Sequence, residues 1–600
     1  MKSRYFCAIL FGLTLSVFAC SSKKQEEAPS GKFADWVFVN GIVYLMDTDL
    51  TKTEAIAISA DTITALGKNG QVDDWIGPNT KVVDLKGRML MPGFVESHIH
   101  PAVAGLLNTG VQLLEFSTKK EIMEALKAYS ERHPYKKAIF GFGWSNDLFE
   151  PNGPHKSELD SVIHNRPVFL IANDAHSAWV NSEALELLDI GKDTPDPLPG
   201  VHFYKRDKNG EPTGWLVEGG AFWPQLPKLG LGSSSDFKQG LKEILPVLAS
   251  FGITSLFDAG VPGLERYALA ALTELERDDD LPVRYYTSHY VTSPTEAEDA
   301  VKDFLALKEE FTSELVIPSA IKIPNDGTIE AETAALLEPY TDHPKNSGAV
   351  MLDQETLTRL LIQADSAGID THIHAIGDRT AHEALNAIKA SQDKTGRKDT
   401  RHTICHLQLV REKDIKRFAN LGVIAQVSPQ WPQDLHSTYY KLWVKELGKR
   451  RANHQFEFRT FLKNRVIMSL GSDFPATGGT LTESSPMYGI ETGRTRQVPG
   501  KPNSFPIPQK SERVSVAELL RGYTYNGAYQ LRSEKQIGSL KVGKKADVII
   551  LDENPLTVPV HQLHATQVLF TMMGGKVTHN RLNDFEFRTG TDTDLREIIK

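Results

Sequence analysis

Cysteine is scarce in this sequence. Only three of the 600 residues are cysteines, Cys7, Cys20 and Cys405, and the first two lie near the N-terminus. One cysteine is left for the body of the chain, which excludes a disulfide framework there. An excess of positive charge is also absent, since 67 Lys and Arg stand against 76 Asp and Glu, for a net charge of -9. This balance gives no basic field, so we expect no nucleic-acid partner.

A long apolar run occurs only at the N-terminus. Basic residues precede the run from Tyr5 to Ala19, which has the length of a signal peptide and is too short for a stable membrane anchor. The run ends in SVFAC, and a polar stretch containing Pro and Gly follows Cys20. We therefore expect a signal peptide at 1–19 and a flexible tether at 20–34.

The residues around Cys20 resemble a bacterial lipobox, in which the signal is cut before the cysteine and this cysteine is lipidated. The resemblance implies an exported lipoprotein held to a lipid membrane by acyl chains on Cys20. Ser21 follows the cysteine, which by the same resemblance favours the outer membrane, or another periplasm-facing position, if the cell is Gram-negative. An ordinary cleaved signal with a chance cysteine is the alternative.

Patterns typical of short strands occur at both ends of the mature chain. Apolar and polar residues alternate over 35–90, with turns that contain Gly or Asn. The same kind of pattern occurs again over 536–600. These two ends predict the two parts of one small β-sandwich, the second part including a C-terminal tail. The stretch between them, 91–535, would form a domain of its own.

The middle stretch alternates apolar, strand-like runs with helical periodicity. The candidate strands after its first run are RPVFLIAND, ITSLFDAG, VRYYTSHY, AIKIPNDG, IDTHIHAIGD, HTICHLQLV, VIAQVSP and VIMSLGSD. Repeated β-then-α units predict a parallel sheet, and the predicted fold class is α/β, a (β/α)8 TIM barrel. Because the stretch exceeds a minimal barrel of about 250 residues, we expect an insertion at about 174–230, a segment rich in Pro, Gly and Trp.

Side chains that can bind metal follow several of these runs. His98 and His100 stand two apart in MPGFVESHIHP. On a strand such residues face the same way, so both imidazoles can hold one ion, although this pair alone is weak evidence. A barrel places its active site at the carboxyl ends of its strands. Other metal-competent or acid–base residues occur there too: Lys322, His374, His406 and Asp473.

This set resembles the amidohydrolase superfamily, which has HxH on strand one, Lys on strand four, His on strands five and six, and Asp on strand eight. The wider context resembles amidohydrolase family 3, the branch that includes N-substituted formamide deformylase. The resembling segments cover nearly the whole mature chain in the family's order, among them NDAHSAWVNSEAL, PTGWLVEGGAF, THIHAIGDRT and IGSLKVGKKADVIILD.

The resemblance implies one or two divalent ions. His98 and His100 would bind one ion, and His374 and His406 would bind a second or help to shape a mononuclear site. Lys322 could be carboxylated and bridge two ions, because an unmodified ammonium would repel them. Zinc is the default metal for imidazole ligands, although such ligands also suit other metals.

The resemblance also implies a hydrolase for carbon–nitrogen bonds other than peptide bonds, acting on a small-molecule substrate. Asp473 would contact metal, accept a proton from the attacking water and return it to the leaving nitrogen. Two alternatives stay open. One is a surface binding lipoprotein that has lost catalysis, and the other is the same site used for ester, cyclic imide or deamination chemistry.

Four further residues fall in resembling segments and are candidate substrate contacts: Asp174, His176, Trp215 and Glu218. Their alternative role is to satisfy loops, and Glu218 could also bind metal. Cys405 precedes His406, so we expect it to point away from the site, toward the helices. The sequence departs from the family where TIEAETA follows Asp326-Gly327, since the family often continues SLGSRTA there.

Overall fold

The computed structural model describes residues 33–47, 49–149, 153–434, 439–476, 480–507, 510–582 and 587–591. The predicted signal peptide and Cys20 therefore lie outside the described residues. Within the described ranges the strands form four sheets, one of eight strands, one of five and two of six. No helix in these ranges combines the length and apolar character that crossing a bilayer requires.

The sheet of eight described strands is a parallel barrel, which confirms the predicted α/β fold class. Each strand pairs with the next one along the chain, and two backbone hydrogen bonds then join the ends of the sheet. Asp473 N donates to His98 O at 2.8 Å, and His100 N donates to Phe474 O at 2.9 Å. The strands are β1 (Phe94–Ile99), β2 (Ile253–Asp258), β3 (Arg284–Tyr290), β4 (Val316–Pro324), β5 (Asp370–Ala375), β6 (Thr403–His406), β7 (Ile424–Val427) and β8 (Met468–Leu470).

Helices between the strands, and others that follow β8, cover the outside of the barrel. The helix Asp378–Thr395 shows why they form, since Ala381, Leu385 and Ile388 recur at helical spacing and bury one face. The helices of this layer are Pro101–Asn108, Ser234–Ser250, Glu265–Arg277, Pro294–Phe311, Gln354–Ser366, Asp378–Thr395, Glu412–Leu421, Tyr439–Ala452 with a break at Gly448, Phe458–Lys463, Pro486–Thr495, Val516–Arg521 and Gly527–Gln530.

A separate sheet is inserted between β1 and β2. The run RPVFLIAND, a candidate barrel strand, forms Val168–Ala172 within this sheet instead. The predicted insertion at 174–230 lies inside this longer segment. In sheet order the strands are Phe203–Arg206, Pro212–Val217, Ser177–Val180, Val168–Ala172, Ile139–Trp144 and Val111–Gln112. The helices of the segment are Lys119–Arg132, Lys156–Asp160, Ser182–Leu187 and Gly219–Phe222.

The two remaining sheets each combine strands from both ends of the chain. They share one apolar core, in which the Phe38 and Phe570 rings lie 5.8 Å apart. One sheet has the order Phe587–Thr589, Lys81–Asp84, Trp36–Val39, Ala55–Ser59 and Thr62–Gly67. The other has the order Lys576–Asn580, Val568–Met573, Val548–Leu551, Met89–Pro92, Ile42–Tyr44 and Lys52–Thr53.

Candidate active site

The barrel brings the predicted metal ligands together at the carboxyl ends of its strands. His98 lies on β1 and His100 just beyond it, while Asp473 follows β8. One oxygen of Asp473, Oδ1, lies 3.2 Å from His98 Nε2 and 3.4 Å from His100 Nε2. Lys322, on β4, places Nζ 3.5 Å from His98 Nε2. Three strands that are distant in sequence thus meet at one point.

His406 and His374 complete this cluster from β6 and β5. The His406 ring centre lies 4.7 Å from that of His98 and 4.4 Å from that of His374. His406 Nδ1 lies 3.7 Å from Asp473 Oδ2. Each carboxylate oxygen of Asp473 therefore faces at least one imidazole nitrogen.

Hydrogen bonds behind the cluster fix how three of these imidazoles are oriented. His100 Nδ1 donates to the carbonyl oxygen of Gly260 at 2.9 Å, and His374 Nδ1 lies 2.8 Å from Asp326 Oδ1. His98 Nδ1 lies 2.8 Å from His372 Nε2. The contacts of His100 with a carbonyl and of His374 with a carboxylate are typical of histidine ligands, and each leaves the other ring nitrogen free for metal.

The residues present fit a divalent ion. Ligand atoms of His98, His406 and Asp473 all lie within 4.8 Å of one another, a spacing that one ion could span. His406 Nδ1 is buried without a hydrogen-bond partner, so an ion would satisfy a polar atom that is otherwise orphaned. Imidazole and carboxylate groups together form the donor set that zinc prefers.

Burial also sets the charge states that metal binding requires. Burial, reinforced by the Lys322 cation, lowers the pKa of His98 well below its ordinary value. Burial likewise lowers the pKa of His406, so both rings are neutral and their lone pairs are available. Burial opposes ionisation of Asp473, yet the imidazoles of His406 and His100 hold its pKa below the ordinary value. The centre therefore combines neutral imidazoles with a carboxylate.

Cys405 points into the barrel, so the expectation that it faces the helices was wrong. Its Sγ lies 3.4 Å from Lys322 Nζ. Successive side chains of a regular strand point to opposite faces, but this does not hold here. His406 has a φ of 72°, which takes it out of the regular pleat. Cys405 instead pairs with His374 across the sheet and shares its inward direction. Burial raises the pKa of the Cys405 thiol to about 12.

Two of the predicted substrate contacts form a pair beside this centre. His176 Nδ1 lies 2.7 Å from Glu218 Oε2, and this carboxylate raises the pKa of His176 to about 9. The His176 side chain is 40% exposed, so it presents an accessible imidazolium beside the centre. Asp174 accepts a hydrogen bond from the His176 backbone at 2.9 Å and supports the loop. Glu218 has a φ of 66°, a strained backbone that fixes its direction.

Trp215, the fourth predicted contact, packs differently. Its ring lies against Gly153 and belongs to the apolar core of the inserted sheet. Across that sheet it pairs with Trp179. Trp215 thus supports the inserted sheet.

Other residues at the site were missed by the sequence reasoning. Asp326, which holds His374, is an acid just beyond β4, so the same strand-end rule could have found it. The Trp431 ring stacks on His406 with centres 5.0 Å apart, and no local pattern signals that contact. Tyr290 ends β3 and pairs with Lys322 across the sheet. Burial and then the Glu218 carboxylate raise the pKa of Tyr290, which keeps its hydroxyl a donor.

A barrel with imidazoles and a carboxylate at its carboxyl end belongs to the class of metal-dependent hydrolase folds. A solved structure of this class, an uncharacterized metal-dependent hydrolase from Pyrococcus horikoshii OT3, matches with a TM-score of 0.69 and 27% identity. The match covers 88% of this chain and 99% of that chain. This chain belongs to the amidohydrolase family, whose profile matches residues 81–579.

Curated relatives match along nearly their whole length. The putative amidohydrolase YtcJ of Bacillus subtilis strain 168 is 28% identical over 552 residues, which cover 91% of this chain and 99% of the relative. N-substituted formamide deformylase of Arthrobacter pascens is 25% identical over 566 residues, with 91% and 98% covered. Family, fold and site together support a metal-dependent hydrolase.

Proposed function

We propose that this chain hydrolyses the carbon–nitrogen bond of a small, non-peptide amide. The observation that carries the proposal is the buried carboxylate of Asp473, whose one oxygen faces the Nε2 atoms of both His98 and His100 at 3.2 and 3.4 Å. A carboxylate in that position can both contact an ion and move a proton. The similarity to a protein named N-substituted formamide deformylase supports the choice of an amide.

We assign the metal-holding role to the clustered side chains. His98, His100 and Asp473 would hold one ion, and His406 with His374 would hold a second or complete the first. A divalent ion, zinc in our proposal, lowers the pKa of a bound water and polarises a substrate carbonyl. Lys322 would join the centre as a carbamate, because its ammonium would otherwise lie 3.5 Å from a ligand nitrogen.

Asp473 would carry the proton. Its lowered pKa makes it a carboxylate that accepts a proton from the attacking water. The same group would then donate that proton to the leaving nitrogen. Because Asp473 is 4% exposed, bulk water would compete little for the proton.

The imidazolium of His176 would bind the substrate's oxygen. Glu218 holds Nδ1 at 2.7 Å, which leaves Nε2–H available as a donor to substrate. A cationic donor favours a carbonyl oxygen that gains negative charge during attack, or a substrate carboxylate. The flat face of Trp431 on His406 and the Tyr290 hydroxyl would form further walls of the pocket.

A substrate panel tests this proposal. The mature protein is stripped with a chelator, reconstituted with Zn²⁺, Mn²⁺ or Fe²⁺, and assayed on N-substituted formamides and N-acyl amines. Esters, cyclic imides and amino-heterocycles serve as the comparison classes. We expect amine release that requires metal. Metal-loaded protein that turns over none of these compounds would contradict hydrolysis, and turnover of a comparison class alone would contradict the choice of an amide.

We also propose that the protein is exported and anchored through acylated Cys20. The support is the order of apolar run, small residue, cysteine and polar tether in the sequence. In cells fed a labelled fatty acid, we expect label on the wild type and on Cys7→Ala but not on Cys20→Ala. Label that survives in Cys20→Ala would contradict the proposal.

A further inference from the structure

A second group of metal-competent side chains lies away from the centre described above. Glu332 and His343 belong to the connection 325–353, which links β4 to the helix Gln354–Ser366. Glu446 lies on the helical segment Tyr439–Ala452. One ligand atom from each of the three residues lies within 4.8 Å of the other two.

The contacts within this group leave one atom unsatisfied. His343 Nδ1 lies 2.6 Å from Glu332 Oε2, and Asn346 Nδ2 donates to the same oxygen at 3.2 Å. Lys445 Nζ lies 2.8 Å from Glu446 Oε1. Glu446 Oε2 is buried and has no hydrogen-bond donor.

Because Glu446 is buried, leaving its Oε2 atom without a hydrogen-bond donor costs free energy. Its side chain is only 3% exposed, so water does not replace the missing donor. The Glu332 carboxylate is within hydrogen-bonding reach of the Glu446 carboxylate, and neither group carries a proton to donate when both are ionised. Lys445 reaches Oε1 of Glu446, so a cation or a shared proton at Oε2 would still stabilise the pair of carboxylates.

We propose that Glu332, His343 and Glu446 form a divalent-metal site that is separate from the active site, and that zinc is its ligand. The imidazole decides the class of metal, because magnesium and calcium prefer all-oxygen sites whereas zinc binds imidazole with carboxylate. The His343 side chain is 59% exposed, so water can supply the remaining ligand.

Such an ion would link two segments that border the candidate active site. The connection that carries Glu332 begins with Asp326, the residue that orients His374. The segment that carries Glu446 follows β7 and the loop that stacks Trp431 on His406.

Zinc counting on variants tests the proposal. Metal-free mature protein is dialysed against Zn²⁺, and the bound zinc per chain is measured by elemental analysis for the wild type, His343→Ala and Glu446→Gln. His454→Ala is the matched control, since His454 is 61% exposed and pairs with a single carboxylate, Glu457, at 3.0 Å. We expect both site variants to bind one zinc fewer than the wild type and the control.

Equal zinc counts in the wild type, the control and the site variants would overturn the proposal. A proton shared by the two carboxylates would then be the explanation for their proximity. His343→Ala changes an exposed residue, so it decides the outcome if Glu446→Gln fails to fold. Diffraction at the zinc edge gives a second readout. An anomalous peak between His343 and Glu446 supports the site, and its absence from zinc-soaked crystals contradicts it.

Discussion

At the residue scale, the active centre depends on one carboxylate that several imidazoles share. Asp473 Oδ1 faces His98 and His100, while Oδ2 faces His406. Burial lowers the pKa of His98 and of His406, so these two rings are neutral, and the imidazoles of His406 and His100 hold the pKa of Asp473 below its ordinary value. In the proposed mechanism, removing the charge of Asp473 would therefore change proton transfer more than it changes the imidazoles.

Asp473→Asn tests whether proton transfer can be lost while metal binding is kept. An amide keeps the shape of the side chain but cannot accept the proton, so we expect kcat to fall by about 10²–10⁴. The imidazole ligands are unchanged and the amide keeps one oxygen that can contact the ion, so metal content should stay near that of the wild type. Elemental analysis and steady-state kinetics on the same preparation measure both quantities. Near wild-type turnover would refute proton transfer by Asp473.

Glu218→Gln tests the charge of His176. Glu218 raises the pKa of His176 from 6.5 to about 9, so the imidazolium persists up to that pH and is lost as the pH rises through it. In Glu218→Gln we expect the alkaline limb of kcat/KM to move from near 9 toward 6.5. Glu186→Gln, at an exposed position in the helix Ser182–Leu187, is the control and should keep the wild-type profile. An unshifted limb in Glu218→Gln would rule out the imidazolium as the group that titrates.

Candidate site residues could be predicted where the neighbouring sequence alone marks them. His98, His100 and Asp473 stand directly beside strand-like runs, so the strand-end rule was enough to select them. The direction of Cys405 was not predictable, because it depends on the left-handed backbone at His406. Trp431 was missed because its stacking on His406 is set by how two separate loops pack.

At the element scale, the connection after β4 positions one side of the site. Asp326 holds His374 at 2.8 Å and also accepts hydrogen bonds from Ile376 N at 3.1 Å and Gly377 N at 2.9 Å. Thr380 Oγ1 donates to the same carboxylate at 2.7 Å. One carboxylate thus fixes both a candidate ligand and the start of the helix Asp378–Thr395.

Asp326→Asn tests this support. The amide cannot accept every one of these hydrogen bonds, so His374 loses its fixed orientation. We expect metal affinity to fall by about 10–100-fold, the usual cost of losing a partner behind a ligand. Competition with a chelator measures the affinity. Asp353→Asn, which changes the N-cap of the neighbouring helix Gln354–Ser366, should leave it unchanged.

The positions of the strands were easier to predict than which strands pair with one another in the barrel. Val168–Ala172 is buried on both faces, as barrel strands are, and its sequence carries no sign that it pairs elsewhere. Its antiparallel pairing with Ser177–Val180 places it in the inserted sheet. Partners across a sheet are tertiary information, so one sequence did not reveal them.

At the scale of the whole molecule, the barrel is joined to strands from the far end of the chain. Arg284 on β3 forms a buried ion pair with Asp547, just before the strand Val548–Leu551. Asp547 also accepts a hydrogen bond from Gly574 N at 2.8 Å. The pair is 8% and 2% exposed, so either charge would be costly without the other.

Asp547→Ala tests this connection. Leaving Arg284 buried without its partner should lower the free energy of unfolding by about 3–5 kcal/mol. Asp280→Ala is the control, since its ion pair with Lys242 is about half exposed; such pairs contribute about 0–1 kcal/mol. Chemical denaturation compares the two variants. An equally small effect in both would show that the buried pair does not stabilise the fold.

The proposed dependence of hydrolysis on an ion held by His98, His100 and Asp473 is tested most directly by counting metal and turnover together. Zinc is removed stepwise from the wild type and returned, and amide hydrolysis is followed at each occupancy, with His98→Ala in parallel. We predict that the rate rises and falls with bound zinc, and that His98→Ala binds less zinc and is inactive. Undiminished hydrolysis by metal-free protein or by His98→Ala would contradict this account.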